Sequence, residues 1–232
     1  MEHHKMIYIT GANRGIGKYL FEYFVAEGAR VVGTYNVSMP ESCYSDKLTK
    51  VDVTNLVSVK NWIFNNQDEA NETVLINCAG VNYSSFAHKA DLDAWENVIK
   101  VNLIGTFNTI HCVLPIMRDR NYGRIINFSS VVGQKGIAGT SAYAASKSAL
   151  NGLAKSIAVE NGSKGITINN INLGYFDIGM IKEVPEKMHL AIKENIPNKS
   201  FGKPRDIVNT VNYIITTEYL NGASIDLSGG LV

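Results

Sequence analysis

Short apolar runs rich in β-branched residues alternate along the chain with segments whose apolar positions recur at helical spacing. The first run, residues 6–10, leads into a glycine-rich turn and a helix over residues 16–26, and the same order repeats to the end of the sequence. Such alternation is typical of right-handed βαβ units, which build a parallel sheet covered by helices on both faces. The pattern predicts an α/β fold with a doubly wound, seven-stranded parallel sheet.

No linker, repeat or change of composition interrupts this order, which predicts a single domain over residues 1–232. One long segment, about residues 175–200, departs from the alternation. Two interpretations of it stay open: a lid over a substrate, or a helical pair that closes the core. The predicted strands cover residues 6–10, 30–35, 48–51, 74–77, 124–129, 167–172 and 223–227. The predicted helices cover residues 16–26, 56–66, 92–117, 141–160 and 204–217, and residues 92–117 form either one long helix or a bent pair.

Composition and charge narrow the class of protein. Apolar residues make up 45% and charged residues 19% of the chain, which is typical of a globular protein. The net charge of +1, without a long run of like charges, argues against a nucleic-acid partner. The longest apolar stretch, residues 112–117, is far shorter than the ~20 residues that span a bilayer, and residues 1–5 are polar. We therefore expect a soluble, cytoplasmic protein without a membrane partner.

Cysteine and histidine spacing gives no sign of a metal site. Cys43, Cys78 and Cys112 are odd in number and form no CxxC pair, and the five histidines lack ligand spacing. We expect unpaired thiols, as in a reducing compartment, and no metal.

The segment TGANRGIG, residues 10–17, lies between the first strand and its helix. Glycines there let the backbone approach a pyrophosphate and place it at the helix N-terminus, where N–H groups and the helix dipole favour an anion. By itself such a turn is often only a tight βα connection. Its place at the first βα junction favours nucleotide binding.

A second group of polar residues is predicted at the same end of the sheet. Tyr143 and Lys147 are four residues apart on one helix face. Residues 129–130 end strand five, residues 77–80 follow strand four, and Asn102 lies in the helix between these strands. Because the carboxyl ends of parallel strands share one edge, we expect these residues to converge.

Together these motifs resemble the short-chain dehydrogenase/reductase family over the whole chain. The resemblance rests on TGANRGIG, VDVT at 51–54, NCAG at 77–80, SSVVG at 129–133 and the YxxxK spacing. It implies a Rossmann fold and hydride transfer between a nicotinamide cofactor and a carbonyl or secondary alcohol. GRII at 123–126 is similar to the 3-oxoacyl-[acyl-carrier-protein] reductases. Arg124 and Lys164, expected to be surface cations, match positions where those relatives dock an acidic carrier, so acyl carrier protein is a candidate partner.

The resemblance implies four catalytic residues: Asn102, Ser130, Tyr143 and Lys147. Tyr143 is the implied general acid/base, and Ser130, thirteen residues before it, polarises the substrate oxygen, with Ser129 as the alternative. Lys147 holds the nicotinamide ribose, and Asn102 anchors a water that connects Lys147 to solvent. A Lys147 ammonium at ~4 Å and an effective dielectric of ~20 would favour phenolate by ~4 kcal/mol, bringing the Tyr143 pKa from ~10 to ~7.

The resemblance also implies the cofactor contacts. Relatives carry a Thr four residues after the Gly that follows strand six, whereas this chain carries Ile178 there, so nicotinamide anchoring is expected to rest on backbone groups near Phe176 and Ile178. The implied cofactor-binding residues are Gly11, Asn13, Arg14, Gly15, Ile16, Gly17, Tyr35, Asp52, Val53, Asn77, Cys78, Ala79, Gly80, Tyr143, Lys147, Gly174, Phe176 and Ile178.

Cofactor choice depends on the end of strand two. It ends in Tyr35-Asn36 with no carboxylate to bind the 2′-hydroxyl of NAD, and Arg14 stands where NADP-dependent relatives bind the 2′-phosphate. We expect NADP(H) to be preferred, with NAD(H) possible.

Three functions remain open at this point. The first is reduction of a 3-oxoacyl substrate, the second is reduction of another small ketone, sugar-derived or a secondary metabolite, and the third is a catalytically silent nicotinamide-binding sensor. Related enzymes pair the helices matching 92–117 and 141–160 between subunits, so we expect a homotetramer. Apolar residues expected around the substrate are Tyr83, Phe86, Ile137, Tyr175, Phe176 and Met180.

Overall fold

Seven strands form one sheet in the computed structural model, which describes residues 5–37, 44–67 and 71–232. In chain order they are β1 (Lys5–Thr10), β2 (Arg30–Tyr35), β3 (Leu48–Lys50), β4 (Glu72–Asn77), β5 (Gly123–Ser130), β6 (Ile166–Leu173) and β7 (Ser224–Leu227). All neighbours run parallel, and the order across the sheet is β3-β2-β1-β4-β5-β6-β7. The predicted doubly wound fold is confirmed. Cys43 lies outside the described residues.

Within the described residues, seven α-helices connect the strands. They are α1 (Gly15–Ala26), α2 (Leu56–Asn65), α3 (Leu92–Ile99), α4 (Thr106–Arg120), α5 (Ser141–Asn161), α6 (Glu186–Asn195) and α7 (Pro204–Thr216). Side-chain caps begin two of them, since Asn55 accepts from the Ser58 N–H and Asp91 from the Ala94 N–H. The predicted helix over residues 92–117 is a bent pair, because a π-helical turn, Lys100–Gly105, joins α3 to α4.

The core has two halves, one on each face of the sheet. On one face Leu20, Phe21 and Phe24 of α1 pack with Ile207 and Val211 of α7. The other half is built by buried residues of α2, α4 and α5, among them Trp62, Ile110, Val113 and Ile157. Burial on both faces explains why the central positions of β1 and β4 are consecutive apolar residues and do not alternate with polar ones.

The stretch Leu92–Arg120 is long and apolar enough to cross a membrane by length and composition. Its side chains Ile110, Val113 and Met117 are fully buried against the sheet. Packing in the core accounts for these three apolar positions, whereas Ile104 and Phe107 of the same stretch are 46% and 45% exposed.

A row of buried asparagines crosses the centre of the sheet. Asn77, Asn127 and Asn170 are register partners on β4, β5 and β6. Asn77 Nδ2 donates to Asn127 Oδ1 at 2.9 Å, and Asn127 Nδ2 donates to Asn170 Oδ1 at 3.0 Å. Thr109 of α4 donates to Asn77 Oδ1 at 2.7 Å, and Asn170 donates to the Leu150 carbonyl of α5 at 3.1 Å. This asparagine ladder ties the sheet to two helices below the carboxyl-end loops.

The segment at about 175–200 contains a 3-10 helix, Gly179–Glu183, and α6. Ile181 is buried, but α6 buries no residue, and its Met188 and Leu190 are 49% and 71% exposed. A helix that buries nothing does not close a core. Of the two interpretations of this segment, the structure favours the lid.

Candidate active site and cofactor cavity

A cavity of about 820 Å³ opens at the carboxyl ends of β1, β2 and β4. The crevice lies where the strand order reverses, which is where doubly wound sheets bind ligands. The predicted cofactor residues that line it are Gly11, Asn13, Arg14, Gly15, Ile16, Gly17, Tyr35, Asp52, Val53, Cys78, Ala79, Gly80 and Ile178. Sequence reasoning missed further wall residues, including Lys18, Glu22, Asn36, Val81, Met180 and Lys182.

The glycine turn fits a diphosphate. Gly11 has a φ of +65°, and a Cβ there would lie 2.9 Å from Ala79 Cα. A Cβ on Gly17 would collide with the Gly11 carbonyl oxygen. The first turn of α1 carries no acidic residue, so its N–H groups and dipole face the cavity without a competing carboxylate. The cradle therefore needs these glycines to stay open to an anion.

Thr10 holds the loop after β4 against this turn. Its Oγ1 accepts hydrogen bonds from the Cys78 and Ala79 N–H groups, at 3.1 and 3.0 Å. Sequence reasoning assigned Thr10 only to a strand. The sequence feature that could have identified this role of Thr10 is a hydroxyl side chain at the last position of the strand, directly before the glycine-rich turn.

Asn102 clamps the same loop from the other side. The π turn presents its fully buried amide, which accepts from the Val81 N–H at 2.8 Å and donates to the Val81 carbonyl at 2.9 Å. It also donates to Ser146 Oγ at 3.1 Å. π turns inside α-helices often mark functional sites, and this one positions the cavity wall next to Gly80. The side chain of Asn102 thus acts by holding backbone.

Tyr143 and Ser130 meet beside the cavity. Tyr143 lies in the first turn of α5, Ser130 ends β5, and their hydroxyls are hydrogen-bonded. Burial raises the pKa of Tyr143 to about 12, and the Ser130 hydrogen bond only partly offsets this. The expectation of a pKa near ~7 is wrong for the protein without cofactor, because desolvation of the phenolate outweighs any support from Lys147.

The surroundings of Lys147 explain why it does little to stabilise the phenolate of Tyr143. Its Nζ donates to the Phe128 carbonyl at 2.7 Å and lies 5.6 Å from the centre of the Tyr143 ring. Burial lowers the pKa of Lys147 to about 8, so the ammonium is readily neutralised. Burial also raises the pKa of the neighbouring Cys78 thiol far above its usual range. Cys78 is thus a neutral wall group, not a nucleophile.

The two serines at the end of β5 have different environments. Ser129 Oγ donates to the Lys147 carbonyl at 2.9 Å and so fastens α5 to the sheet. Ser130 Oγ accepts from the Val132 N–H at 3.2 Å and reaches the Tyr143 hydroxyl. Of the two, only Ser130 stands beside the phenol.

Five predicted cofactor residues do not line the cavity. The Asn77 side chain is committed to the asparagine ladder. The Phe176 ring is buried in the core, and its backbone pairs with Gly202. Gly174 packs against Ser228, since a Cβ there would lie 2.8 Å from Ser228 Cα. Tyr143 and Lys147 are the other two and lie beside the wall. The cofactor contacts of all five residues stay predictions.

The charged groups around the cavity are mostly cations. Arg14 is exposed and precedes α1 without a side-chain cap hydrogen bond. Lys18 pairs with Glu22 at 3.8 Å. Asp52 Oδ1 accepts from the Thr54 N–H and hydroxyl, so one carboxylate oxygen is occupied by its own turn.

Arg124 is not a surface cation. It is buried, donates from Nε to the Ile215 carbonyl at 3.2 Å, and donates from one Nη to the Gly123 and Gly165 carbonyls at 2.9 Å. Its guanidinium stacks 4.3 Å from the centre of the Tyr122 ring. In this chain Arg124 holds the start of β5, and the expectation that it is a surface cation is wrong.

Comparison with known proteins bears on this arrangement. The family model for short chain dehydrogenase matches residues 5–189. The chain is 32% identical to the 3-oxoacyl-[acyl-carrier-protein] reductase of Vibrio harveyi, over 98% of this chain and 97% of that protein. It is 34% identical to the acetoacetyl-CoA reductase of Shinella zoogloeoides, over 96% of each. The structure of Thermoplasma acidophilum aldohexose dehydrogenase matches with a TM-score of 0.91 and 27% identity, covering 99% of this chain and 94% of that one.

Proposed function

The chain belongs to the short-chain dehydrogenase/reductase family and is an oxidoreductase that acts on carbonyl and alcohol groups, and from this premise we propose that it reduces a 3-oxoacyl substrate with NADPH. The observation that carries the proposal is the meeting of Ser130, Tyr143 and Lys147 beside a cavity built on a glycine turn.

Tyr143 is the proton donor in this proposal. A phenol with a pKa of about 12 is protonated at neutral pH and can donate to the oxygen of a carbonyl as that oxygen becomes an alkoxide. Ser130 donates to the same oxygen and polarises it. The nicotinamide, when bound, supplies the hydride. Asn102 keeps the cavity wall at Val81 in place and holds the water that connects Lys147 to solvent.

The names of two relatives and three exposed apolar side chains support this class of substrate. Two relatives have names that specify a 3-oxoacyl thioester, as acyl carrier protein or CoA derivative. Phe86, Ile137 and Met180 are 60%, 40% and 47% exposed, which suits an apolar acyl chain. Because Arg124 is buried, it does not support acyl carrier protein as a partner. We therefore propose a thioester substrate, carried either by acyl carrier protein or by CoA.

The test measures single-turnover oxidation of NADPH, and separately of NADH, with acetoacetyl-CoA and with a simple apolar ketone as substrates. The reverse reaction is measured as oxidation of an aldohexose by the oxidised cofactors. Turnover of acetoacetyl-CoA at the highest kcat/KM supports the proposal. Faster reaction of the plain ketone or the sugar favours another carbonyl substrate. Tight NADPH binding without any oxidation would identify a silent sensor and overturn the proposal.

NADPH is preferred in our proposal because the end of β2 has no carboxylate and Arg14 lines the cavity beside it. Arg14→Ala is expected to lower the NADPH/NADH ratio of kcat/KM roughly ten- to a hundredfold, because one charge-assisted phosphate contact is lost. Steady-state kinetics with both cofactors measures the ratio. Equal losses for both cofactors, or a wild-type preference for NADH, would contradict the assignment.

We propose a homotetramer built on α4 and α5. Phe107 on α4 and Val159 on α5 are 45% and 88% exposed, and a Cβ on Gly152 would meet nothing within 4 Å. These positions are open to a second copy and do not pack on the sheet. Light scattering at micromolar concentration is expected to give about four times the 25.4 kDa chain mass. A monomer mass would refute the proposal.

We also propose that the protein is soluble and works in the cytoplasm. Cys78 and Cys112 are free thiols, which suits a reducing compartment.

A further inference from the structure

The lid touches the glycine turn directly. A Cβ on Gly15 would lie 3.2 Å from Gly179 Cα, and a Cβ on Gly179 would lie 3.9 Å from Gly15 Cα and from Ile16 Cγ1. The 3-10 helix Gly179–Glu183 therefore begins in contact with the backbone at the N-terminus of α1. Anything bound at this N-terminus is next to the start of the lid.

This lid carries a cation into the cavity. Lys182 is one of the residues that line it, as are Arg14 and Lys18 at the start of α1. Its Nζ is 2.7 Å from Asp177 Oδ1, and the two side chains are 63% and 65% exposed. Asp177 is not part of the cavity wall.

The ion pair between Lys182 and Asp177 is easily exchanged. Pairs this exposed contribute little to stability, because water and salt screen them. Lys182 holds the pKa of Asp177 below its usual range, and Lys193 and His189 act in the same direction. Asp177 therefore keeps Lys193 as a cationic neighbour when Lys182 leaves.

We propose that Lys182 exchanges Asp177 for the diphosphate of the bound nucleotide, so that the lid is fastened over the cofactor by its own lysine. Asp177 is the resting partner of Lys182. This contact replaces an anchor that the chain lacks, since Ile178 has no hydroxyl to offer the nucleotide. The proposal rests on the nucleotide binding proposed above and is independent of the carbonyl substrate.

The diphosphate is common to NADPH and NADH, so the contact cannot discriminate between them. Lys182→Gln is expected to raise the Kd of both cofactors by the same factor, about tenfold. Lys182→Arg is expected to keep the Kd close to that of the wild type, because the charge is retained. Kd values come from titration of nucleotide fluorescence with the full chain at fixed ionic strength, without substrate.

Substitution of Asp177, the other member of the ion pair, distinguishes exchange of Lys182 from a static ion pair. Asp177→Asn removes the competitor for Lys182 and is expected to tighten cofactor binding roughly two- to fivefold. A static bridge that merely supports the lid predicts that Asp177→Asn and Lys182→Gln weaken binding alike. Lys187→Gln, an exposed charge change on α6 outside the cavity wall, is the matched control and is expected to leave the Kd unchanged.

The outcomes distinguish this inference from the function on which it rests. A wild-type protein that binds neither NADPH nor NADH overturns both. Binding of the nucleotides by the wild type, with Lys182→Gln within twofold of it or with Asp177→Asn weakened, overturns the role of Lys182 alone. A loss confined to NADPH would place Lys182 at the 2′-phosphate and also overturn it.

Discussion

Tyr143→Phe is expected to lower kcat for carbonyl reduction by at least ~100-fold and to leave the Kd of NADPH nearly unchanged. The ring still fills its place in α5, but the hydroxyl that Ser130 contacts is gone. Stopped-flow oxidation of NADPH under saturating substrate measures the rate. Fluorescence titration measures the Kd on the same preparation.

The matched control is Tyr83→Phe. Its hydroxyl accepts from the Asp91 N–H at 2.8 Å, so the substitution removes a phenol with a structural partner. We expect kcat to fall far less than in Tyr143→Phe. If Tyr143→Phe keeps kcat within threefold of the wild type, Tyr143 is a packing residue and the proton donor is another group.

The elements that the sequence predicts correctly are those with local causes. Periodicity identified all seven strands to within two residues, and Gly28, with a φ of +74°, follows the end of α1 as a helix stop. The convergence of Ser130, Tyr143 and Lys147 was also predictable, since parallel topology gathers strand ends at one edge.

The features of the site that could not be predicted from the sequence depend on contacts between segments that are far apart in the chain. The Tyr143 pKa was placed too low because burial of a phenol is a property of packing, whereas the spacing to Lys147 is a property of the helix. Arg124 was taken for a surface cation because its partners, the Ile215 and Gly165 carbonyls, lie far away in sequence. Lys182 went unnoticed because the lid has no periodic pattern that places it in the cavity.

The asparagine ladder is another such feature. Asn77 ends one strand, Asn127 follows two isoleucines in the next, and Asn170 is one of three asparagines in β6, so only the strand register brings these three together. Buried amides are tolerated when every donor and acceptor is paired, and they are costly when one partner is removed. The ladder lies directly below the loops that carry Cys78 and Ser130, so its order is coupled to that of the site.

Asn127→Leu tests the ladder at its centre. The substitution leaves Asn77 Nδ2 without its acceptor and Asn170 Oδ1 without its donor, in a site with no exposed surface. Two unsatisfied buried groups are expected to cost about 2–4 kcal/mol of unfolding free energy after the gain from an apolar side chain. Urea unfolding at fixed protein concentration measures the loss.

A double-mutant cycle decides whether the residues act as one network. Asn170→Leu alone is expected to destabilise the protein, because it leaves the buried Asn127 Nδ2 without its acceptor. Added to Asn127→Leu, it is expected to cost much less than it does alone, because its partner has already been replaced. Strictly additive losses would contradict the ladder and assign each asparagine its own independent hydrogen bonds.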